Sequence, residues 1–274
     1  MVHKKISSAE NQFVKKAVEA KTRKRGGKAY FLAEGPHLVE VAAASSAPIE
    51  EVFFTMDFIR TAEGEKVLNL LSQMQSPPGL LVELPANILA KISDTEAPQG
   101  IIAVVAQLPV SLFGLKVRKE PLIAVCDGIG DPGNLGTIIR VSDAAGADAV
   151  VVLPGSCDPF SPKAVRATAG SIFNVPVIDI GYSGLFDYLA DMNIDLIVAD
   201  VNASGSLYRC DLQRPAALAF GNEARGVSEE LASRAADFVK IPIPGKAESL
   251  NVAVAAAVCL YEAVRQRTAT ATRG

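Results

Sequence analysis

Residues 248–265, with the sequence ESLNVAVAAAVCLYEAVR, predict a helix that has almost no polar face. Valine, leucine and alanine fill nearly every position from 250 to 264, and a helix that is apolar all round is typical of a protein interior. Its first turn nevertheless carries Ser249 and Asn251. Because the amino end of a helix presents unpaired N–H groups and partial positive charge, these side chains either cap the helix or meet a ligand.

Strand and helix patterns alternate along the whole chain when it is read outward from this helix. The first alternation includes a helix from Ser7 to about Arg25 and ends at residue 107. Residues 108–120 have no sustained period and are flanked by prolines, so we interpret them as a linker. The sequence therefore predicts an α/β protein with a smaller N-terminal α/β domain at 1–107 and a mainly parallel sheet at 121–274.

Composition excludes several classes of protein. The 274 residues are 49% apolar and 21% charged, and no apolar run approaches the roughly 18–20 residues of a membrane span. The N-terminus carries no apolar leader segment, which predicts a cytoplasmic location. The cysteines lack C-x-x-C spacing, so neither a disulfide framework nor a metal site is expected. They are Cys126, Cys157, Cys210 and Cys259.

Basic residues concentrate at the N-terminus. Residues 1–30 contain nine Lys or Arg against two Glu, a balance of +7, whereas the remaining 18 basic and 28 acidic residues give −10. A basic arm on an acidic body is typical of proteins that bind a polyanion such as RNA, and Arg23, Lys24 and Arg25 form its densest cluster. A solvated, lysine-rich helix is the alternative interpretation.

Three segments rich in glycine and small polar residues follow predicted strands. They are residues 126–140 (CDGIGDPGNLGTIIR), 220–226 (FGNEARG) and 241–251 (IPIPGKAESLN). Because ligands bind beyond the carboxyl ends of the strands in open parallel sheets, we expect a binding site at these segments.

The first segment contains the spacing G-x-G-x-x-G at Gly128, Gly130 and Gly133, which suggests the dinucleotide-binding turn of a dehydrogenase. Two features disfavour that function. Pro132 and Asn134 surround the third glycine and delay the helix, and the next strand ends without an acidic residue to hold a ribose. We therefore interpret the glycine spacing as accidental.

Polar side chains in the first two segments have both a structural and a functional interpretation. Asn134 is expected at or near a helix N-cap. Arg140 either pairs with Asp143 at the surface or lies partly buried among its apolar neighbours, where a guanidinium needs an anion from protein or substrate. Glu223, between two glycines, either is exposed on a turn or lies near a ligand that the backbone approaches closely.

Taken together, the three segments resemble the signature motifs of the SpoU (TrmH-like) 2′-O-ribose RNA methyltransferases, of the SPOUT class. Residues 134–140 match the first motif, 220–226 the second and 241–255 the third, in that order. Between them, residues 161–170 resemble the Ser-Pro-Lys segment of the family. The resemblance covers residues 120–267.

This resemblance implies a deep trefoil knot in the C-terminal domain and S-adenosylmethionine as the cofactor. It also implies a homodimer whose active site is completed across the interface. The N-terminal half, at residues 31–36 and 94–100, is similar to the substrate-binding domain of the family. The residues expected at the cofactor are Gly221, Ile241, Leu250, Asp200 and Asn202.

The implied reaction transfers a methyl group to a ribose 2′-hydroxyl of ribosomal RNA or transfer RNA. The resemblance assigns activation of the hydroxyl to Arg140, but a guanidinium is a poor base, so we expect it to bind the neighbouring phosphate and stabilise developing alkoxide charge. The residues expected to orient the reactants are Asn134, Glu223, Ser249 and Asn251. The expected RNA contacts are Arg23, Lys24, Arg25, Lys163 and Arg166. A non-catalytic RNA-binding or assembly factor of the same fold is the alternative.

Overall fold

The computed structural model describes residues 2–22 and 30–271, and the chain divides into two units. The strands in chain order are β1 (Val2–Lys5), β2 (Tyr30–Glu34), β3 (Ile49–Phe54), β4 (Leu80–Glu83), β5 (Ile101–Ala106), β6 (Leu122–Cys126), β7 (Ala149–Val152), β8 (Val177–Asp179), β9 (Asp195–Ala199), β10 (Gly205–Ser206), β11 (Ala216–Phe220) and β12 (Asp237–Lys240). The α-helices are α1 (Gln12–Thr22), α2 (Pro36–Ala44), α3 (Met56–Ile59), α4 (Ala62–Gln73), α5 (Ala86–Ile92), α6 (Pro132–Ala144), α7 (Pro162–Ala167), α8 (Tyr182–Asp191), α9 (Glu229–Ala232) and α10 (Val252–Ala271).

The first unit comprises Met1–Pro109 and Phe160–Asn174 and is built on a five-stranded sheet in the order β1-β4-β3-β5-β2. Strands β1 and β3 flank β4 in parallel, whereas β5 runs antiparallel to both β3 and β2. Buried side chains of the strands and of α1 and α5 form an apolar core on one face of this sheet. The predicted α/β character of the N-terminal half is confirmed.

The beginning of this unit differs from the sequence prediction. The predicted helix from Ser7 starts only at Gln12, because the Ser8 and Asn11 side chains accept backbone N–H groups in a local turn. Strand β1 was not predicted, since His3, Lys4 and Lys5 show no apolar alternation. It is an edge strand, and the Lys5 ammonium pairs with Glu83 of β4 at 2.6 Å. Residues 23–25 lie outside the described residues.

Residues 160–174 belong to the first unit although strands of the second sheet precede and follow them in sequence. The rings of Phe160 and Phe173 lie against Phe31, with centroids 5.2 Å and 5.9 Å away. The backbone at Gly170, with φ +98°, passes so close to Val41 that a side chain would be crowded. Contact with these apolar groups, which sequence periodicity did not indicate, explains the difference from the predicted boundaries at 107 and 121.

The second unit, Val110–Pro159 and Val175–Gly274, contains a seven-stranded sheet in the order β10-β12-β9-β11-β6-β7-β8. All six neighbouring pairs are parallel, as the alternating pattern predicted. The central strands β6, β7 and β11 are buried at every position, which explains their continuous apolar sequences. Their carboxyl ends therefore share one edge of the sheet.

Helix α10 packs against α6 and β11. Its buried residues include Val252, Ala256 and Leu260, but Val254 and Tyr261 are 49% and 51% exposed. One face of this apolar helix is therefore exposed in the single chain. None of the helices in residues 2–22 and 30–271 combines the length and apolar character needed to cross a membrane.

The carboxyl end of α10 is fixed by the guanidinium of Arg267. Its nitrogens donate to the backbone carbonyls of Leu212, Glu120, Pro121 and Arg214 at 2.8–3.3 Å. These carbonyls lie before β6 and β11, so a single side chain joins the helix to both segments. Burial lowers the pKa of Arg267, because a guanidinium charge is less well solvated there than in water.

Replacing Arg267 with alanine is expected to lower the free energy of unfolding by about 2–3 kcal/mol, because buried carbonyls lose a charged donor. Urea titration at neutral pH measures this change. The matched control is Arg265→Ala on the same helix, where the exposed guanidinium donates to Glu262. This change should matter much less, because Glu262 also accepts a hydrogen bond from Gln266 Nε2. Equal losses in the two variants would contradict the anchoring role.

Candidate functional site

A cavity of about 290 Å³ lies beyond the carboxyl ends of β9 and β11. Three segments line it: residues 198–202, residues 220–227, and the chain around the start of α10 from Ser249 to Ala255. Four of the five residues predicted at a cofactor are among the lining residues, namely Asp200, Asn202, Gly221 and Leu250. Ile241, the fifth, is half-buried and is not among the residues that line this cavity.

The loop after β11 has a shape that only glycine at position 221 permits. Asn222 and Gly226 exchange backbone hydrogen bonds of 2.9 Å and 2.8 Å, which folds the loop back on itself. A Cβ atom at Gly221 would come closer than 3.0 Å to the backbone of Gly226 and Val227. Since backbone atoms cannot move aside as a side-chain tip can, any larger residue must open the loop.

The side chain of Asn134 joins the three sequence motifs. Its Nδ2 donates to Glu223 Oε1 at 2.6 Å, and its Oδ1 accepts from Asn251 Nδ2 at 3.0 Å. The partners lie 89 and 117 residues away in sequence. Three of the predicted reactant-orienting residues are therefore joined by hydrogen bonds through Asn134. One of them, Glu223, lines the cavity, as does the fourth predicted residue, the exposed Ser249.

An aspartate and an asparagine side chain cap the helices at this site, and Asn134 lies near one of these caps. Asp131, rather than Asn134, is the N-cap of α6, and its carboxylate accepts the Asn134 N–H at 3.0 Å. Asn251 caps α10, since its Oδ1 accepts the N–H groups of Ala253 and Val254 at 3.0 Å and 3.3 Å. With backbone capping assigned to Asp131, the amide of Asn134 is left for contacts between segments.

Arg140 is exposed, so the expectation that it is partly buried is wrong. Along α6, Leu135, Ile138 and Ile139 face the core, and 100° per residue turns position 140 to the opposite side. The Arg140 side chain is therefore in contact with solvent. Its guanidinium is thus available for an external anion.

The glycine-rich segment after β6 forms a turn rather than a dinucleotide-binding helix start. Gly128 has φ +68°, which favours glycine, whereas nothing lies within 4 Å of a Cβ built on Gly130. The helix begins at Pro132, after the Asp131 cap. The positive φ at Gly128 therefore accounts for one of the three glycines in the G-x-G-x-x-G spacing.

Asp127, which follows β6 and is only 2% exposed, was not predicted as a functional residue. Its carboxylate accepts hydrogen bonds from the Tyr182 hydroxyl at 2.7 Å and from the Ser228 N–H at 2.6 Å. A carboxylate directly after an apolar strand is a weak signal in one sequence, because it does not indicate which distant donors approach it.

The two predicted RNA contacts that the structure describes, Lys163 and Arg166, do not line this cavity. Arg23, Lys24 and Arg25 lie outside the described residues. Lys163 and Arg166 lie on α7 in the first unit, where Lys163 is exposed. Arg166 forms ion pairs with Asp94 at 2.8 Å and Glu34 at 3.6 Å, which ties it to the neighbouring loop. Within residues 2–22 and 30–271, no three His, Cys, Asp or Glu side chains form a group that could hold a metal ion.

Family models match both parts of the chain. Residues 121–261 match the SpoU rRNA Methylase family, and residues 11–103 match the MRM3-like substrate binding domain. The 23S rRNA (guanosine(2553)-2′-O)-methyltransferase RlmP of Bacillus subtilis is 33% identical, over 94% of this chain and 98% of its own. The 23S rRNA (guanosine-2′-O-)-methyltransferase RlmB of Escherichia coli is 31% identical, over 85% of this chain and 97% of its own.

Solved structures extend this similarity over both units. The AdoMet-bound rRNA methyltransferase from Sinorhizobium meliloti has a TM-score of 0.83 at 29% identity and covers 96% of this chain and 98% of its own. The SpoU methyltransferase AviRb from Streptomyces viridochromogenes, in complex with AdoMet, has a TM-score of 0.82 at 27% identity, with coverage of 94% and 99%. The dehydrogenase interpretation finds no support among these relatives.

Replacing Gly221 with alanine is expected to lower the free energy of unfolding by about 1–3 kcal/mol, because the new methyl group overlaps backbone. Thermal unfolding followed by circular dichroism measures the change. Gly130→Ala is the matched control, with open space around its Cβ, and should stay within about 0.5 kcal/mol of the unmodified protein. A Gly221→Ala protein as stable as the control would show that the loop tolerates a side chain.

Proposed function

The chain belongs to the SpoU rRNA methylase family, and from this premise we propose that it transfers a methyl group from S-adenosylmethionine to a ribose 2′-hydroxyl of ribosomal RNA. The observation that carries the proposal is the pair of hydrogen bonds by which Asn134 joins Glu223, on the cavity wall, to Asn251. Three motifs far apart in sequence are brought together there, with an exposed arginine on the adjoining helix. A relic pocket would have no need to retain this set of side chains.

The cavity suits S-adenosylmethionine in size and in charge. Its volume of about 290 Å³ is near the lower bound for small-molecule sites. The carboxylates of Asp200 and Glu223 line it and favour a ligand that bears sulfonium and ammonium charges. We assign cofactor binding to Gly221, Leu250, Asp200 and Asn202, and we retain Ile241 as a proposed contact by its motif alone. When bound, the cofactor supplies an electrophilic methyl group.

Arg140 is the proposed partner of the RNA backbone. A guanidinium stays charged at any physiological pH and does not act as a base, but it binds a phosphate through two parallel hydrogen bonds. Held beside the reacting ribose, it would stabilise negative charge on the 2′-oxygen while the proton passes to phosphate or water. The exposure of Arg140 on α6 supports this role.

The other four polar residues would fix the geometry of the reaction. Asn134 already holds Glu223 and Asn251, so the three side chains can position the ribose as a unit. Ser249, on the cavity wall, is placed to hydrogen-bond the cofactor or the ribose. Because methyl transfer requires in-line alignment of the attacking oxygen, orientation of this kind supplies much of the rate acceleration.

We propose that RNA recognition belongs to the first unit and to the basic arm. The match of residues 11–103 to a substrate-binding domain supports the first assignment, and the charge balance of residues 1–30 supports the second. Lys163 and Arg166 are proposed as additional contacts, although Arg166 would have to bind phosphate while remaining paired with Asp94. Since ribosomal RNA is the substrate, we expect the protein to act in the cytoplasm.

We also propose a homodimer and a deep trefoil knot in the second unit. An apolar stripe on α10, formed by Val254, Val258 and Tyr261, supports the homodimer, since successive members lie on one side of the helix. Similarity to solved SpoU structures over nearly the whole chain supports the knot. In this proposal, the segments that form the knot are those that connect the strands of the parallel sheet.

The Arg140→Ala variant is expected to lower kcat for RNA methylation by about 10²-fold or more, because one charged donor to the transition state is lost. Its Kd for S-adenosylmethionine, measured by calorimetry, should stay within about threefold of the unmodified value. Arg209→Ala, which removes an exposed arginine from the same unit, is the matched control and should retain full activity.

Two results would contradict the proposed function. Unchanged turnover in Arg140→Ala would remove this residue from the mechanism. The absence of any heat of binding for S-adenosylmethionine in the unmodified protein would instead favour a non-catalytic RNA-binding factor of the same fold.

The basic arm has its own test. Replacing Arg23, Lys24 and Arg25 with alanine is expected to weaken RNA binding and to lower the slope of log K against log salt by up to roughly three counterions. Binding titrations with a ribosomal RNA fragment between low and physiological salt measure the slope. An unchanged slope would mean that these residues do not contact phosphate.

A further inference from the structure

The carboxylate of Asp127 is buried where the proposed mechanism does not use it. It follows the last residue of β6, is 2% exposed, and is not among the residues that line the cavity. A buried carboxylate is costly unless it is fully hydrogen-bonded, and such bonds are about twice as strong as those between neutral groups. The contacts of Asp127 therefore show which part of the structure this group stabilises.

Asp127 holds both ends of the loop at residues 221–228. Its backbone N–H donates to the carbonyl of Phe220, immediately before the loop, at 2.9 Å. Its carboxylate Oδ2 accepts the N–H of Ser228, at the end of the loop, at 2.6 Å. The next residue, Gly128, accepts a hydrogen bond from Asn222 Nδ2 at 3.0 Å and so holds the loop near its start.

The second carboxylate oxygen of Asp127 is occupied by a tyrosine. Oδ1 accepts the hydroxyl of Tyr182, the first residue of α8, at 2.7 Å. Burial raises the pKa of Tyr182, so the phenol keeps its proton and remains a donor across the physiological range. Both oxygens of Asp127 thus have donors, and the loop is tied through Asp127 to α8.

The loop that Asp127 closes forms one wall of the cavity. All of residues 221–227 line it, and Glu223 within the loop accepts the hydrogen bond from Asn134. If the end of the loop at Ser228 were released, the wall and the Glu223 carboxylate would move together. Ordering the loop would then have to occur when the ligand binds, at a cost in affinity.

We propose that Asp127 is a positioning residue that preorganises residues 221–228 for S-adenosylmethionine, with Tyr182 as its supporting donor. This inference rests on the proposed function. Asp127 touches neither reactant in this arrangement, and it acts by holding the loop closed before the cofactor arrives. Its contribution is therefore to cofactor affinity, and not to the chemical step.

The test compares Asp127→Asn with a matched control, Asp148→Asn. Asp148 is a second carboxylate at the other end of β6, where it accepts the Leu122 N–H at 2.8 Å and pairs with Arg118. Asp127→Asn removes the negative charge and replaces one of the two acceptor oxygens with an NH2 group, so the bonds to Tyr182 and Ser228 are weakened and the closed loop is destabilised. Both variants should have lower thermal midpoints, but only Asp127→Asn should raise the Kd and KM for S-adenosylmethionine, by about tenfold or more.

Two further readouts separate positioning from a general loss of stability. At saturating cofactor, kcat of Asp127→Asn should stay within about threefold of the unmodified value, because bound ligand restores the loop. Without cofactor, amide hydrogen exchange in residues 221–228 should be about tenfold faster than in Asp148→Asn. Tyr182→Phe, which removes one hydroxyl, should shift Kd and exchange in the same direction by a smaller factor.

Equal Kd and equal loop exchange in Asp127→Asn and Asp148→Asn would overturn the inference. If Asp127→Asn does not fold, the Kd and the loop exchange of Tyr182→Phe decide the inference. Values equal to those of the unmodified protein would overturn it. Failure of the unmodified protein to bind S-adenosylmethionine would instead refute the proposed function. In that case, amide hydrogen exchange in residues 221–228 would still show whether Asp127 holds the loop closed.

Discussion

The amide of Asn134 is the contact on which the candidate site depends. Its two hydrogen bonds join α6, the loop after β11 and the start of α10, three segments that are adjacent only in the folded chain. The amide can serve this purpose because Asp131, and not Asn134, caps the amino end of α6. One side chain thereby sets the relative position of the residues proposed to orient the ribose.

The parallel sheet makes that contact possible. Because β6, β9 and β11 run in the same direction, their carboxyl ends reach one edge and carry their loops to the same side. Buried apolar strands supply the rigidity, whereas the cavity wall consists largely of backbone shaped by Gly221. A loop whose backbone lines the cavity suits a cofactor that is held by backbone groups. Rigid strands next to this loop suit a reaction that depends on the alignment of its reactants.

The sequence predicted the parallel sheet of the second unit, the three motifs and four of the five residues at the cavity, because apolar periodicity and motif spacing are local properties. It did not predict features that depend on distant neighbours. Strand β1 forms through pairing with β4, and residues 160–174 join the first unit through contact with Phe31. Arg140 was expected among its apolar neighbours, but the helical phase of α6 turns it to solvent. The role of Asp127 follows from donors about 55 and 101 residues away, which no local pattern reveals.

The central claim is that this protein methylates a ribose 2′-hydroxyl in ribosomal RNA. The most direct measurement is a map of 2′-O-methylation across all stable RNA of the host, with and without the gene. The account predicts that one ribosomal position loses its methyl group, that the unmodified gene restores it, and that a gene encoding Arg140→Ala does not. An identical methylation map in the presence and absence of the gene would contradict the account.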